Sequence, residues 1–232
     1  MTQPPAFIYF DLDDTLLDHQ AAQQAALSDV LVHFQLFDKT NHSAFIKTYA
    51  QVNRKQWRDY SLGYITKEQL QLKRFEQTMR ALDLPVDDSH MIGNYYLRCY
   101  RNHWKWLEGA LEAFEAIRQR YPVGILTNGF TETQKLKFEQ FDLYDKADQL
   151  VISEEAGALK PDPVIFEYAT SLTDQPAKDI FYVGDSYNSD VVGGSNFGWQ
   201  VGWFTSNGAA EQQNKAAFIF DDFKELRTFL EV

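Results

Sequence analysis

The hydrophobic pattern of the chain has two characters. Residues 7–11, 123–127, 150–153, 180–184 and 200–204 are short, nearly unbroken apolar runs that end at polar residues or glycine. Such runs predict strands of a parallel sheet buried on both faces. A sixth run, 218–220, leads into a helix with Phe223, Leu226, Phe229 and Leu230 on one face. From about Gly109 onward strand and helix alternate. TETQ at 131–134 fits a capping box, and Asp162 before Pro163 fits an N-cap with proline in the first turn. The alternation predicts an α/β fold built on a doubly wound parallel sheet.

Residues 18–107 follow a helical period instead. Segments 21–34, 43–60, 66–82 and 89–106 are amphipathic, TKEQ at 66–69 is a second capping box, and Leu72, Phe75, Met79 and Leu82 share one face. A helical insertion therefore separates the first strand from the rest. Leaving and returning near the carboxyl end of strand one, it would sit where open α/β sheets bind ligands. The expected organisation is a core of residues 1–17 and 108–232 with an all-helical cap domain, 18–107, over the active site.

Composition narrows the functions. At 232 residues and 44% hydrophobic, the chain can bury a substantial core. Cys99 is the single cysteine, which excludes an internal disulfide or a cysteine-rich zinc site, and the five histidines show no metal-ligand spacing. With no basic-plus-apolar leader after Met1, a cytoplasmic setting is expected. No apolar run approaches the roughly 18 residues of a membrane span. A net charge of -11 argues against nucleic acid as a polymer and against anionic membranes. A small anionic substrate stays open, because a metal ion, a lysine and a few amides can invert the potential locally.

The strand ends supply that possibility. Asp11 and Asp13 follow strand one, Thr127, Asn128 and Gly129 close strand two, Lys160 lies in ALKPDP, and Asp185 and Asp190 lie in GDSYNSD. Taken singly, each is a common turn. Their order at separate strand ends of one sheet is what accidental turns have no reason to reproduce. Asp11, Asp13 and Asp185 would repel one another without a counter-ion, and a few carboxylates with water and phosphate suit magnesium. Asp11 is placed to attack phosphorus, Asp13 to act as general acid-base, Thr127 and the amides of Asn128 and Gly129 to bind phosphate, and Lys160 to supply positive charge. Thr15 and Ser186 flank these groups and are expected to support them.

In this order the segments DLDDT, LTN, the lysine of LKPDP, and GDSYNSD resemble the four motifs of the haloacid dehalogenase (HAD) superfamily. The resemblance covers essentially the whole chain. It implies a Rossmann-like core and catalysis by Asp11, Asp13, Thr127 and Lys160. Magnesium would be held by Asp11, the backbone carbonyl of Asp13, and Asp185. Asp190 would orient Lys160 or a metal-bound water. Asp13 points to the phosphatase branch, since the founding dehalogenases lack that second aspartate, and the insertion resembles a C1-type cap. Asp14 stands where many relatives have glycine.

Residues 51–75, ILTNGFTETQ and LVISEEAGALKPDPVIF resemble the noncanonical pyrimidine 5′-nucleotidase family. That likeness implies a nucleoside monophosphate as the small phosphorylated partner of a monomer or homodimer. A nucleotide needs an aromatic face for its base and polar groups for its edge and ribose; Trp57, Tyr60, Tyr64, Arg74 and Asn53 are the cap candidates. A phosphatase or phosphomutase of sugar phosphates would carry the same core motifs. A phospho-accepting switch module shares the residue types but leaves the insertion unexplained.

Overall fold

The structure, a computed structural model, describes residues 4–36, 40–205 and 215–232. It divides into two compact units, Met1–Asp18 with Trp106–Val232, and His19–Lys105. Among the described residues no helix is long and apolar enough to cross a membrane.

The smaller unit contains α1 (His19–His33), α2 (His42–Ser61), α3 (Lys67–Ala81) and α4 (Ser89–Asn102). The TKEQ capping box forms as predicted: Thr66 Oγ1 accepts from the Gln69 amide, and the Gln69 side chain accepts from the Thr66 amide. Tyr49, Phe75 and Tyr96 meet in its interior with ring centroids 5.0 to 5.6 Å apart. Two expectations need correction. The α3 face is buried at Leu70, Phe75 and Met79, whereas Leu72 is 39% exposed. The last helix ends at Asn102 rather than at Trp106, which pairs across an isolated bridge with Leu17.

The larger unit carries β1 (Phe7–Phe10), β2 (Val123–Thr127), β3 (Gln149–Ile152), β4 (Ile180–Gly184), β5 (Gln200–Phe204) and β6 (Phe218–Phe220). Its helices are α5 (Ala110–Arg118), α6 (Thr131–Gln140), α7 (Leu143–Lys146), α8 (Ser153–Ala156), α9 (Pro163–Ser171), α10 (Gly193–Phe197) and α11 (Phe223–Phe229). The six strands form one sheet, β3-β2-β1-β4-β5-β6, in which every pair is parallel. Ile8, Phe10, Val123, Ile125, Phe181 and Val183 face one core cluster, and Phe7, Tyr9, Leu126, Ile180 and Tyr182 face the other. Burial on both faces is why the strands read as continuous apolar runs.

Asp162 caps α9 through its bond from the Val164 amide, with Pro163 next to it. The TETQ box, by contrast, does not form. Phe130 precedes α6 with no side-chain cap, the Thr131 amide donates to Glu154, and the Gln134 side chain is used elsewhere. The strand order places β1 between β2 and β4, so the chain grows outward one way and then the other. Residues following these three strands therefore meet at the switch point, on one edge of the sheet.

Candidate active site

β1 hands the chain to Asp11, whose amide still donates to Val183 at 2.8 Å. A tight loop follows, with the Leu16 and Leu17 amides returning to the Leu12 carbonyl at 2.9 and 2.8 Å. Asp14 makes that turn with φ at 62°. Aspartate is among the few non-glycine residues that enter the left-handed region readily, which explains its presence there.

Lys160 is the electrostatic centre. Its Nζ lies 2.8 Å from Asp11 Oδ1, 2.8 Å from Asp190 Oδ1, 2.6 Å from the Tyr182 hydroxyl and 3.1 Å from the Leu126 carbonyl. Burial alone would lower its pKa, but the Asp11 and Asp190 charges outweigh burial and raise it. Asp190 is fully buried, and its Oδ2 accepts the Ser186 amide at 2.9 Å. It presses so close to β4 that a Cβ on Gly184 would lie 2.5 Å from Oδ2. Thr15 Oγ1 donates to Asp185 Oδ1 at 3.3 Å, and Trp203 Nε1 donates to the Asp185 carbonyl at 2.8 Å.

Asp11, Asp185 and Asp190 each offer a carboxylate oxygen within 4.8 Å of the others. Burial, with repulsion from neighbouring carboxylates, pushes Asp185 up to about 9. Burial also pushes Asp11 up to about 7, against the opposing pull of Lys160. Both oxygens of Asp190 are engaged, by Lys160 and by the Ser186 amide, so Asp11 and Asp185 are the carboxylates left to meet a cation. Oxygen donors crowded to the point of holding protons suit a hard divalent ion such as magnesium.

The other half of the site is built from β2 and α6. Thr127 is fully buried, and its Oγ1 accepts from Gln134 Nε2 at 2.7 Å. Asp13 is gripped by Lys137, whose Nζ lies 2.5 and 2.8 Å from its two oxygens, and Gln134 Nε2 donates to Asp13 Oδ2 at 3.0 Å. Asn128 uses its side chain to hold the Lys160 backbone, donating to the carbonyl at 2.9 Å and accepting from the amide at 2.8 Å. Gly129 already gives its amide to Ser153 Oγ at 3.1 Å, and a Cβ there would lie 2.6 Å from Gln134 Nε2.

Asp11, Asp13, Thr127, Lys160, Asp185 and Asp190 thus all belong to the larger unit, in two bonded groups. Lys137, Gln134 and Tyr182 complete those groups; the sequence placed Gln134 in a capping box and Tyr182 in a strand and gave none of the three a part in the site. The available signal was two polar residues, Gln134 and Lys137, sharing the buried face of α6 with Phe138.

The remaining candidates belong to the helical unit. Trp57 and Tyr60 meet edge to face at 5.8 Å, and Tyr64 is 73% exposed. Arg74 is buried, its guanidinium 5.2 Å from the Tyr96 ring centroid and 5.5 Å from that of Phe75. Among the described residues, Arg74 Nε and Asn53 Oδ1 are buried without hydrogen-bond partners.

The sequence model of haloacid dehalogenase-like hydrolases matches residues 7–198, from β1 through the last acidic motif. The chain belongs to that family. It is a hydrolase. Pyrimidine 5′-nucleotidase YjjG of Escherichia coli is 34% identical over 87% of this chain and 86% of its own length. Pyrimidine 5′-nucleotidase PynA of Streptococcus pneumoniae is 29% identical over 85% of this chain and 83% of its own length. The ribulose-1,5-bisphosphate 5-phosphatase of Halopiger xanaduensis is 28% identical over 90% of both. In three dimensions the chain superposes on the magnesium-bound HAD-hydrolase YfnB of Bacillus subtilis with a TM-score of 0.86, over 99% of this chain and 100% of that one, at 23% identity.

Proposed function

We propose that this chain is a magnesium-dependent phosphomonoesterase of nucleoside 5′-monophosphates, with pyrimidines preferred, acting through an aspartyl-phosphate on Asp11. One observation carries the chemistry. Asp11 Oδ1 is held by Lys160, while Oδ2 has no hydrogen bond among the described residues and is free to attack phosphorus. The pyrimidine assignment draws on the likeness to YjjG and PynA.

In the first step Asp11 Oδ2 bonds to phosphorus and the ester P–O bond breaks. The leaving 5′ oxygen keeps the electron pair and takes a proton from Asp13, which must enter this step as the carboxylic acid and leaves it as the carboxylate held by Lys137. In the second, water attacks the phosphoryl group as Asp13 accepts its proton, the bond to Asp11 breaks, and inorganic phosphate leaves. Thr127 donates its hydroxyl hydrogen to a phosphate oxygen, with the Asn128 amide expected beside it, and Lys160 offsets the anionic charge; the Gly129 amide, expected from the sequence to join them, is instead taken by Ser153. Magnesium, held by Asp11, the Asp13 backbone carbonyl and Asp185, would offset carboxylate–phosphate repulsion. Asp190 holds Lys160; Thr15 and Ser186 fix the acidic groups. In the helical unit Trp57, Tyr60, Asn53 and Arg74 are the residues expected to recognise the nucleoside, an expectation supported for Arg74 and Asn53 by their unanswered buried atoms.

A sugar-phosphate substrate is the second reading, favoured by the likeness to the ribulose-bisphosphate phosphatase. Phosphate release from a panel of nucleoside 5′-monophosphates and sugar phosphates, with and without magnesium, separates the two. The reading expects pyrimidine nucleotides to lead and Asp11→Asn to lose more than about 10⁴-fold in turnover. An active Asp11→Asn protein overturns the mechanism, and sugar phosphates leading overturns the substrate.

A further inference from the structure

Lys137 and Gln134 lie one turn apart on α6, each residue 1% exposed. A buried lysine is costly unless its charge is answered, and here both oxygens of Asp13 answer it. The Gln134 amide group has two hydrogens, and the structure uses one for Asp13 Oδ2 and the other for Thr127 Oγ1. Turning that amide over would set its carbonyl against the Asp13 carboxylate, so the observed orientation is fixed by charge. Because Thr127 Oγ1 accepts from Gln134, its own hydrogen must point elsewhere and is left to donate.

We propose that Lys137 and Gln134 are positioning residues that lock the acid-base group Asp13 and the phosphate-binding Thr127 into one geometry. The inference rests on the phosphatase reading above and deepens it. Three N–H contacts fix the direction of the Asp13 carboxylate, and one amide couples it to the hydroxyl that faces phosphate. Glycine at 129 is part of the device, since a Cβ there would collide with Gln134. Outer hydrogen-bond partners of this kind are typically worth about 10–100-fold in activity.

The leaving group tests the assignment. p-Nitrophenolate departs without a proton, whereas the 5′ oxygen of uridine 5′-monophosphate needs one from Asp13. Lys137→Met should slow turnover of uridine 5′-monophosphate at least about tenfold more than burst release of p-nitrophenol from p-nitrophenyl phosphate. Lys137→Arg, which can grip both Asp13 oxygens again, should recover part of the loss. Equal slowing of both esters, or no slowing of either, overturns the proposal. Should Lys137→Met not fold, Lys137→Gln, which keeps a polar donor but cannot grip both Asp13 oxygens, carries the same comparison. Wild-type protein lacking Asp11-dependent turnover would sink the phosphatase reading itself, whereas an active wild type with an indifferent Lys137→Met sinks only this inference.

Discussion

The carboxyl edge of the sheet crowds acids together, whereas the interior of the helical unit buries a guanidinium. At the sheet edge Asp11 and Asp185 are acids with pKa values raised to about 7 and about 9, and one ammonium, Lys160, serves both Asp11 and Asp190. In the helical unit Arg74 is buried on two aromatic rings with no carboxylate partner among the described residues. Buried charge is costly unless paired. Among the described residues the sheet edge crowds Asp11, Asp185 and Asp190 around the single ammonium of Lys160, and the helical interior gives Arg74 Nε no acceptor. Each shortage states what its ligand must bring: a metal ion in one place, oxygen or ring-nitrogen acceptors in the other.

Lys160 is where the comparison breaks most completely. Lys160→Met removes the ammonium bonded to Asp11 and Asp190 and leaves both carboxyls buried without it. Turnover should fall about 10²- to 10³-fold. Metal-free stability at pH 8 should fall by about 3–5 kcal/mol, the usual cost of orphaning a buried charge. Phosphate release and urea unfolding in chelator check the two halves. Wild-type values in both would mean that the sheet edge has no shortage of positive charge.

Metal removal tests the same shortage through pH. In the metal-free fold Asp11 and Asp185 hold protons that the unfolded chain has released above about pH 4. The native state therefore binds more protons between about pH 4 and about pH 9, so metal-free stability declines as pH rises, first through about 7 and then through about 9. Magnesium should bind more tightly as pH rises, release protons, and flatten the decline. Thermal melts from pH 5 to 9, with chelator and with magnesium, read this directly. A metal-free protein that gains stability toward pH 9 would contradict it.

The sequence discloses the two regions unequally. Strand positions were legible because burial on both faces leaves unbroken apolar runs, and Asp11, Asp13, Thr127 and Asp185 because each ends or closely follows a strand; Lys160, beyond α8, was marked only by the ALKPDP segment. Lys137 and Gln134 were not legible. They sit inside a helix whose short-range spelling, TETQ, matches a cap, and only tertiary demand from Asp13 and Thr127 recruits Gln134 away from it. Tyr182 hides likewise as one more aromatic in β4, although its hydroxyl receives Lys160. Leu72 misled for a related reason. Helical spacing fixes which residues share a face, but only the packing partners decide which face is covered.

On the helical side, Arg74→Met should separate binding from folding. If the guanidinium awaits acceptors on the substrate, losing it should lower kcat/KM for a nucleoside 5′-monophosphate by about tenfold or more. Stability should hold or rise by about 1 kcal/mol, since an apolar side chain removes the buried Nε that has no acceptor. Marked destabilisation with unchanged kinetics would make Arg74 a packing residue and remove the symmetry between the two regions.

The smallest effect compares two segments that read alike. Thr66 closes a complete capping box in the helical unit, so Thr66→Ala removes a bond to the Gln69 amide and should cost about 1 kcal/mol. Thr131 occupies the first position of α6, beyond the N-cap Phe130, and makes no cap bond. Thr131→Ala should therefore stay within about 0.5 kcal/mol of wild type. Urea midpoints of the two variants, measured with magnesium present, give the comparison. Equal losses would mean that TETQ caps after all, and Gln134 would then lack the freedom that its bonds to Asp13 and Thr127 require.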